Sequence, residues 1–294
     1  MRFRACVVNV ATFFRIVQAI EKLQKTCIIK FTETNMHIIC NNDNNEGGIQ
    51  VWSQIKVNSL FNDYRIQSNA NNEITMAMSS EALLAALKSP SSNTSLDGEE
   101  VIMKLAKKNE HALLSFEISG MSRVGHGMRI VHDVKINVLK PVDVAKLTEP
   151  LCPTPDLHIL LPPLALLRTI VDRLRPMSDL LAFQANNNKR LLLAIRNDSV
   201  SVETEWNDCQ NPAAAEDEGN GDDEEPRDPN KMYSVCISTR SFLKFLNIHV
   251  VSTTTIACIC QSHCLILYVY IGDVTDAGGV LTFYIPAIID DDGR

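Results

Sequence analysis

Four prolines fall between positions 140 and 156: Pro141, Pro150, Pro153 and Pro155. Proline has no backbone N–H to donate and biases the residue before it toward extended geometry. A stretch with four of them accommodates neither a long helix nor a central strand. It is predicted to be an extended connector, and it lies near the middle of 294 residues. The order of elements on its two sides repeats. The chain is therefore expected to hold two duplicated domains, 1–139 and 157–294, joined by a linker at 140–156, with an acidic loop at 207–230 in the second.

Hydrophobic periodicity supplies the elements. In the first domain a strand over 3–8 precedes an amphipathic helix over 11–24. The helix places Phe13, Ile16, Val17, Ile20 and Leu23 on one face. Strands follow at 26–32, 35–40 and 48–54, with a polar loop at 41–48. The stretch after 54 gives no clear pattern. A strand over 73–78 leads into a helix over 80–88, capped by Ser79-Ser80-Glu81 and expected to stop before Pro90. Strands at 101–107, 112–119 and 129–139 complete the domain, with a glycine-rich loop expected at 120–128. In the second domain the strands are 157–161, 179–185, 190–196, 199–206, 231–237, 254–260, 264–271 and 280–285. The helices are 163–175, opened by Pro162-Pro163 and ended at Pro176, and 238–247.

Two registers carry the duplication. Residues 13–17 align with 166–170, and residues 74–84 align with 233–243, each on apolar pattern rather than identity. Each half then contains two units of strand, helix and strands. The class is α+β.

The charge is distributed unevenly. The formal net charge is -7. The window 216–228 holds eight acids (Glu216, Asp217, Glu218, Asp222, Asp223, Glu224, Glu225, Asp228) against Arg227, so the remainder is close to neutral. Such a run is expected to be a solvated loop. The four helices go the other way. They and their ends carry nine bases, Arg15, Lys22, Lys25, Lys88, Arg168, Arg173, Arg175, Arg240 and Lys244. Their acids are Glu21, Glu81 and Asp172. Seven of the bases fall on polar stripes at i, i+4, i+7, written Arg15/Ala19/Lys22, Glu81/Ala85/Lys88, Arg168/Asp172/Arg175 and Arg240/Lys244/Asn247. Every surface helix has a polar stripe; the excess of nine bases over three acids across the four helices is the informative part. A cationic surface of this kind suits a phosphate backbone, held by counterion release rather than by base readout. No recognition-helix motif, zinc finger or aromatic platform accompanies it.

Other constellations are weaker. Cys258, Cys260, His263 and Cys264 suggest zinc, but the pairing of ligands is irregular, and a strand–turn–strand with core thiols is preferred. The nine cysteines are expected to be reduced. No phosphate-cradling glycine loop and no nucleophile–base motif is present, and His126 and His132 have no identifiable catalytic partner. The chain is expected to have no catalytic activity, no cofactor and no metal. No apolar run reaches the roughly 18 residues that span a bilayer, and the N-terminus lacks a signal-peptide layout. A soluble intracellular protein is expected.

Two halves of repeated strand–helix–strands joined by an extended strap resemble the DNA sliding clamp family. Several stretches resemble more narrowly the Hus-one-type subunit of the heterotrimeric checkpoint clamp, the nine-one-one complex. They are Met1-Arg2-Phe3-Arg4-Ala5, residues 20–27, Asn71-Asn72-Glu73-Ile74, residues 129–138, and Phe283-Tyr284-Ile285-Pro286-Ala287. The resemblance covers nearly the whole chain. The loops at 120–128 and 216–228 depart from the family in composition. The resemblance implies helices on the inner face of a ring and sheets on its outer face, with the nine bases above facing duplex DNA without sequence specificity. It implies pairing with two paralogous clamp subunits at strand edges, here 129–138 and 199–206, and a partner-peptide groove at 41–48, 140–156 and 284–286. It further implies a clamp loader that places the ring at DNA damage, checkpoint kinase signalling, a platform for repair enzymes, residence in the nucleus and no membrane. A homotrimeric replication clamp and a DNA-free scaffold are the alternatives.

Overall fold

The computed structural model describes residues 1–41, 48–92, 100–121, 126–212, 228–251, 254–272 and 277–288. They form two compact units. The first comprises Met1–Cys40, Val51–Glu149 and Thr275–Leu281; the second comprises Asn41–Gln50, Pro150–Val274 and Thr282–Arg294.

The first unit contains strands β1 (Arg2–Val7), β2 (Thr26–Phe31), β3 (Asn35–Cys40), β4 (Gln50–Lys56), β5 (Phe61–Gln67), β6 (Ile74–Ser79), β7 (Glu100–Lys108), β8 (His111–Met121) and β9 (Gly127–Val138). Its helices are α1 (Val10–Leu23), the short α2 (Val57–Leu60), α3 (Ser80–Ser92) and α4 (Pro141–Val144). The strands run β4-β3-β2-β6-β9-β8-β7-β1-β5. α1 packs on α3, and the α1 face lies against the sheet through Phe13 and Phe61, whose rings meet edge-on at 5.8 Å. Phe13, Ile16, Val17, Ile20 and Leu23 are all buried, as their spacing predicts. So is Ala19, which the polar stripe had included. The segment ending at Leu281 returns to this unit. Gly278 O accepts from Lys56 N at 2.8 Å, and a Cβ at Gly279 would stand 2.8 Å from Gln54 O, so only glycine fits there.

The second unit contains β10 (Leu157–Leu160), α5 (Leu164–Leu174), β11 (Leu180–Ala185), β12 (Leu191–Arg196), β13 (Ser201–Trp206), β14 (Tyr233–Ser238), α6 (Thr239–Leu246), β15 (Thr254–Cys260), β16 (Cys264–Ile271) and β17 (Gly279–Pro286). A single 3-10 turn over Asn247–Val250 follows α6. The strands run β13-β12-β11-β14 and β10-β15-β16-β17. α5 packs on α6. Phe242 meets Phe183 of β11 at 5.9 Å, and Phe245 meets Phe283 of β17 at 5.0 Å.

At four places the structure departs from the sequence reading or adds to it. α3 does not stop before Pro90 but runs through it to Ser92. Pro90 lies in the last turn, where one lost N–H bond ends the helix rather than breaking it, and its ring is buried. The unpatterned stretch holds α2 and β5. β5 reads Phe-Asn-Asp-Tyr-Arg-Ile-Gln, its Asp63 has φ 47°, and its pairing with β1 shifts register between Arg4 and Cys6, so alternation is broken. The ends of the loop expected at 120–128 are strand, Gly120 pairing with Met128 and Met121 with Gly127, while 122–125 lie outside the described residues. The linker opens with a helical turn, α4, with Pro141 at its first position, where a missing N–H costs no bond.

Burial also tests the two repeat registers. The alignment of 74–84 with 233–243 holds. Ile74, Met76, Met78 and Leu83 are buried like Tyr233, Val235, Ile237 and Phe242. Ser80 and Thr239, at equivalent positions, are both fully buried hydroxyl residues. The alignment of 13–17 with 166–170 moves by one residue. Leu166 is exposed, whereas Leu167, Val171 and Leu174 are buried in step with Phe13, Val17 and Ile20. The matching Arg15 and Arg168 had suggested the other register; packing of the apolar face decides against it.

Candidate nucleic-acid interface

The α5–α6 pair brings two of the predicted polar stripes together. Arg168, Asp172 and Arg175 of α5 and its end face Arg240, Lys244 and Asn247 of α6 and its end. They line one open groove of about 340 Å³ floored by Leu243. Four cations and one carboxylate thus share a surface only two helices wide. Asn247 adds no charge; its Nδ2 donates to Leu243 O at 3.2 Å and Lys244 O at 3.1 Å and closes the helix end. Arg240 sits in the first turn of α6, where the helix dipole repels a cation, and Asp179 Oδ1 lies 3.3 Å from its Nε. Arg173 is turned to a neighbouring recess with Ala165, Thr169 and His249.

On the first unit the bases are more dispersed. Arg15, Lys22 and Lys25 are exposed along α1 and its end, and Lys88 is exposed on α3. Lys22 is spent partly on Glu21, 3.0 Å away. The exposed positions of α3 before Lys88 are Glu81, Ala82 and Ala85, so this helix contributes an open surface with little charge. Among the described residues, Arg15, Lys25, Arg168, Arg173, Arg175 and Lys244 make no ion pair. Long, unpaired cations on helices whose other faces are buried can follow a polyanion without remodelling the fold.

The expected strand edges are only partly open. β9 pairs with β8 over Gly127–Lys135 on one side, and Ile136–Val138 are covered on the other by β6. The open stretch is therefore 127–135 rather than 129–138. It carries Met128 and Val131 exposed. β13 is the outer strand of its sheet. Its acids are held to the neighbouring strand, Glu203 by Arg196 and Glu205 by Arg190, each at 2.8 Å. An unpaired strand edge is a template for another chain.

The cysteine–histidine motif separates. Cys258, Cys260 and Cys264 are buried among Ile266, Ile256 and Tyr268, while His263 stands exposed on the turn. Burial pushes the Cys258 thiol up to about 12. Among the described residues no group of side chains is arranged to hold a metal ion. Cys152, 112 positions away in sequence, packs against this thiol cluster. Sequence spacing offers no signal for that approach. The 216–227 part of the acidic run lies outside the described residues, as does 42–47 of the expected groove.

The chain matches the family described as Hus1-like protein over residues 1–289. It belongs to the Hus1-like family. Among Hus1-like relatives it is 32% identical to Checkpoint protein hus1 of Schizosaccharomyces pombe, over 99% of this chain and 100% of that one. It is 30% identical to Checkpoint protein HUS1 of Homo sapiens, over 98% and 100% of the respective chains. The proliferating cellular nuclear antigen of Entamoeba histolytica shares the fold at a TM-score of 0.71, with 15% identity over 98% of this Hus1-like chain and 99% of that structure. The fold of this Hus1-like protein is the sliding-clamp fold. No described helix is long and apolar enough to cross a membrane.

Proposed function

We propose that this chain is a non-catalytic subunit of a heterotrimeric, ring-shaped DNA clamp that acts in the DNA damage checkpoint in the nucleus. The observation that carries this is the Hus1-like match across residues 1–289 on a chain with the clamp fold. In this reading, domains 1–139 and 157–294 are the two clamp domains, joined by the linker 140–156. The nine helix bases face the phosphates of duplex DNA. The open edges of β9 and β13 each pair with a paralogous clamp subunit. A clamp loader places the ring at damaged DNA, where it promotes checkpoint kinase signalling and receives repair enzymes.

The two edges differ in chemistry, as a head-to-tail ring requires of the two faces each subunit presents to its neighbours. The open stretch of β9 carries Arg129, His132 and Lys135, whereas β13 carries Glu203 and Glu205 with Trp206 at its end. The test is solution mass by light scattering, for the chain alone and mixed with the two paralogous subunits. The expected result is a monomer alone and a one-to-one-to-one trimer in the mixture. A trimer of this chain alone would favour a homotrimeric replication clamp. A monomer that ignores both partners would reject the ring.

A further inference from the structure

The last part of the linker is laid on the β15–β16 hairpin. Asp156 N donates to Ile259 O at 2.8 Å, and Gln261 N donates to Asp156 Oδ2 at 2.8 Å. Pro153 O accepts from the Cys260 thiol at 3.5 Å. These bonds hold Cys152 over a core of Cys258, Cys260, Cys264 and Ile266. The Cys264 thiol donates to Cys152 Sγ at 3.4 Å. Cys260 and Cys264 are themselves cross-strand partners. Three thiols therefore converge beneath the strap. None of the nine cysteines is in a disulfide.

We propose that Cys152 and Cys264 are a redox pair that closes to a disulfide on exposure to a peroxide and fastens the linker to the hairpin. A disulfide needs an S–S distance of about 2.0 Å, so the sulfurs must approach by about 1.4 Å, within reach of small side-chain rotations. Solvent reaches the pair from one side only. Cys152 is half-exposed next to Leu151, which is 96% exposed, whereas Cys264 is 5% exposed. Cys152 is thus the sulfur an oxidant meets. Its thiolate attacks a peroxide oxygen, the O–O bond breaks, and hydroxide leaves and takes a proton to become water. The sulfenic acid so formed is attacked by the Cys264 sulfur; the S–S bond forms and a second water departs. Two thiols are oxidised and one peroxide is reduced. Burial and the neighbouring sulfurs hold the Cys264 thiol protonated in the reduced pair; it gives up its proton only in the second step, to the hydroxyl that leaves the sulfenic acid as water.

The competing pair is Cys260 with Cys264, and two features disfavour it. Both are buried, and they flank a tight turn with Ser262 at φ 58°, which leaves little freedom to reach disulfide geometry. A bond between 152 and 264 instead links positions far apart in sequence. It restricts the unfolded chain strongly and holds the strap in its native place. Cellular thiol pools would reverse it, so the fastening is transient and follows oxidative conditions.

The experiment uses the full chain, reduced and then exposed to a few equivalents of hydrogen peroxide. Remaining thiols are alkylated in acid-quenched samples, and non-reducing digests are mapped by mass spectrometry. The expected product is a peptide pair linked through Cys152 and Cys264, lost on dithiothreitol treatment and retained in Cys260→Ser. The link should disappear in Cys152→Ser. The oxidised wild type should melt at a higher temperature than the reduced protein and return on reduction. A Cys260–Cys264 link, only intermolecular links, no link, or an unchanged melting temperature would each overturn the proposal.

Discussion

His37 illustrates a residue whose chemistry only the structure reveals. In β3 its Nδ1 lies 2.9 Å from the Ser53 carbonyl, which can only accept, so Nδ1 carries the proton. Burial holds its pKa below the usual value; the Ser53 carbonyl opposes this, and nearby Lys30 adds to it. His158 in β10 is lowered by burial as well. In the unfolded chain both titrate near 6.5. Below that pH the unfolded state binds more protons than the folded state, so stability falls as pH drops from about 6.5 toward the folded-state values. Melting curves from pH 7.5 to 5.5 should show this loss, and a His37→Gln/His158→Gln variant should show a flatter profile. An equally steep profile in the variant would assign the loss to other groups. The pattern around His37 reads in sequence as an ordinary strand, and its partner Ser53 is sixteen residues away on β4.

Among the elements, the repeat is expressed most directly at two helix starts. Ser79 Oγ accepts from Ala82 N at 3.3 Å, and Ser238 Oγ accepts from Ser241 N at 3.3 Å. The two serines are equivalent in the register of 74–84 with 233–243, and each ends a strand and caps the helix that follows. An N-cap hydroxyl satisfies one of the amides a helix leaves open. Ser238→Ala should therefore cost about 1 kcal/mol in denaturant unfolding, and Ser238→Gly only a few tenths. Equal losses for the two variants would point to side-chain packing instead of the cap. The Ser79 cap was legible because strand alternation, serines and an amphipathic run follow one another without interruption, whereas Ser238 reads in sequence as the first residue of its helix and is its cap. The α1–α5 register was less legible. A shared arginine is a poorer guide than a buried face, and the sequence gives no burial. β5 was missed because a left-handed Asp63 and a register shift disrupt its alternation. For the candidate interface, the sign of each helix stripe was readable. That Arg168 and Arg175 share a groove with Arg240 and Lys244 was not, because helix–helix packing sets it.

At the scale of the whole molecule, the net charge of -7 would disfavour a nucleic-acid partner if it were spread evenly. Much of it is concentrated in 216–228, while the helix faces stay cationic, and screening confines each charge to roughly 8–10 Å at physiological salt. What matters is then the local face, and this has a measurable consequence. If exposed helix bases neutralise phosphates, each contributes about 0.9 to the slope of log affinity against log salt. Arg168→Glu/Arg175→Glu should lower the steepness of salt-dependent retention on closed circular DNA by about 2, measured on the loaded three-subunit complex. Arg15→Glu/Lys25→Glu, on the first unit, should act similarly. Lys107→Glu/Lys189→Glu makes the same change in net charge at exposed positions outside the helices, and should leave the slope unchanged. If all three pairs lower the slope equally, total charge rather than the helix faces governs retention. If neither helix pair changes it, these bases do not meet the phosphates.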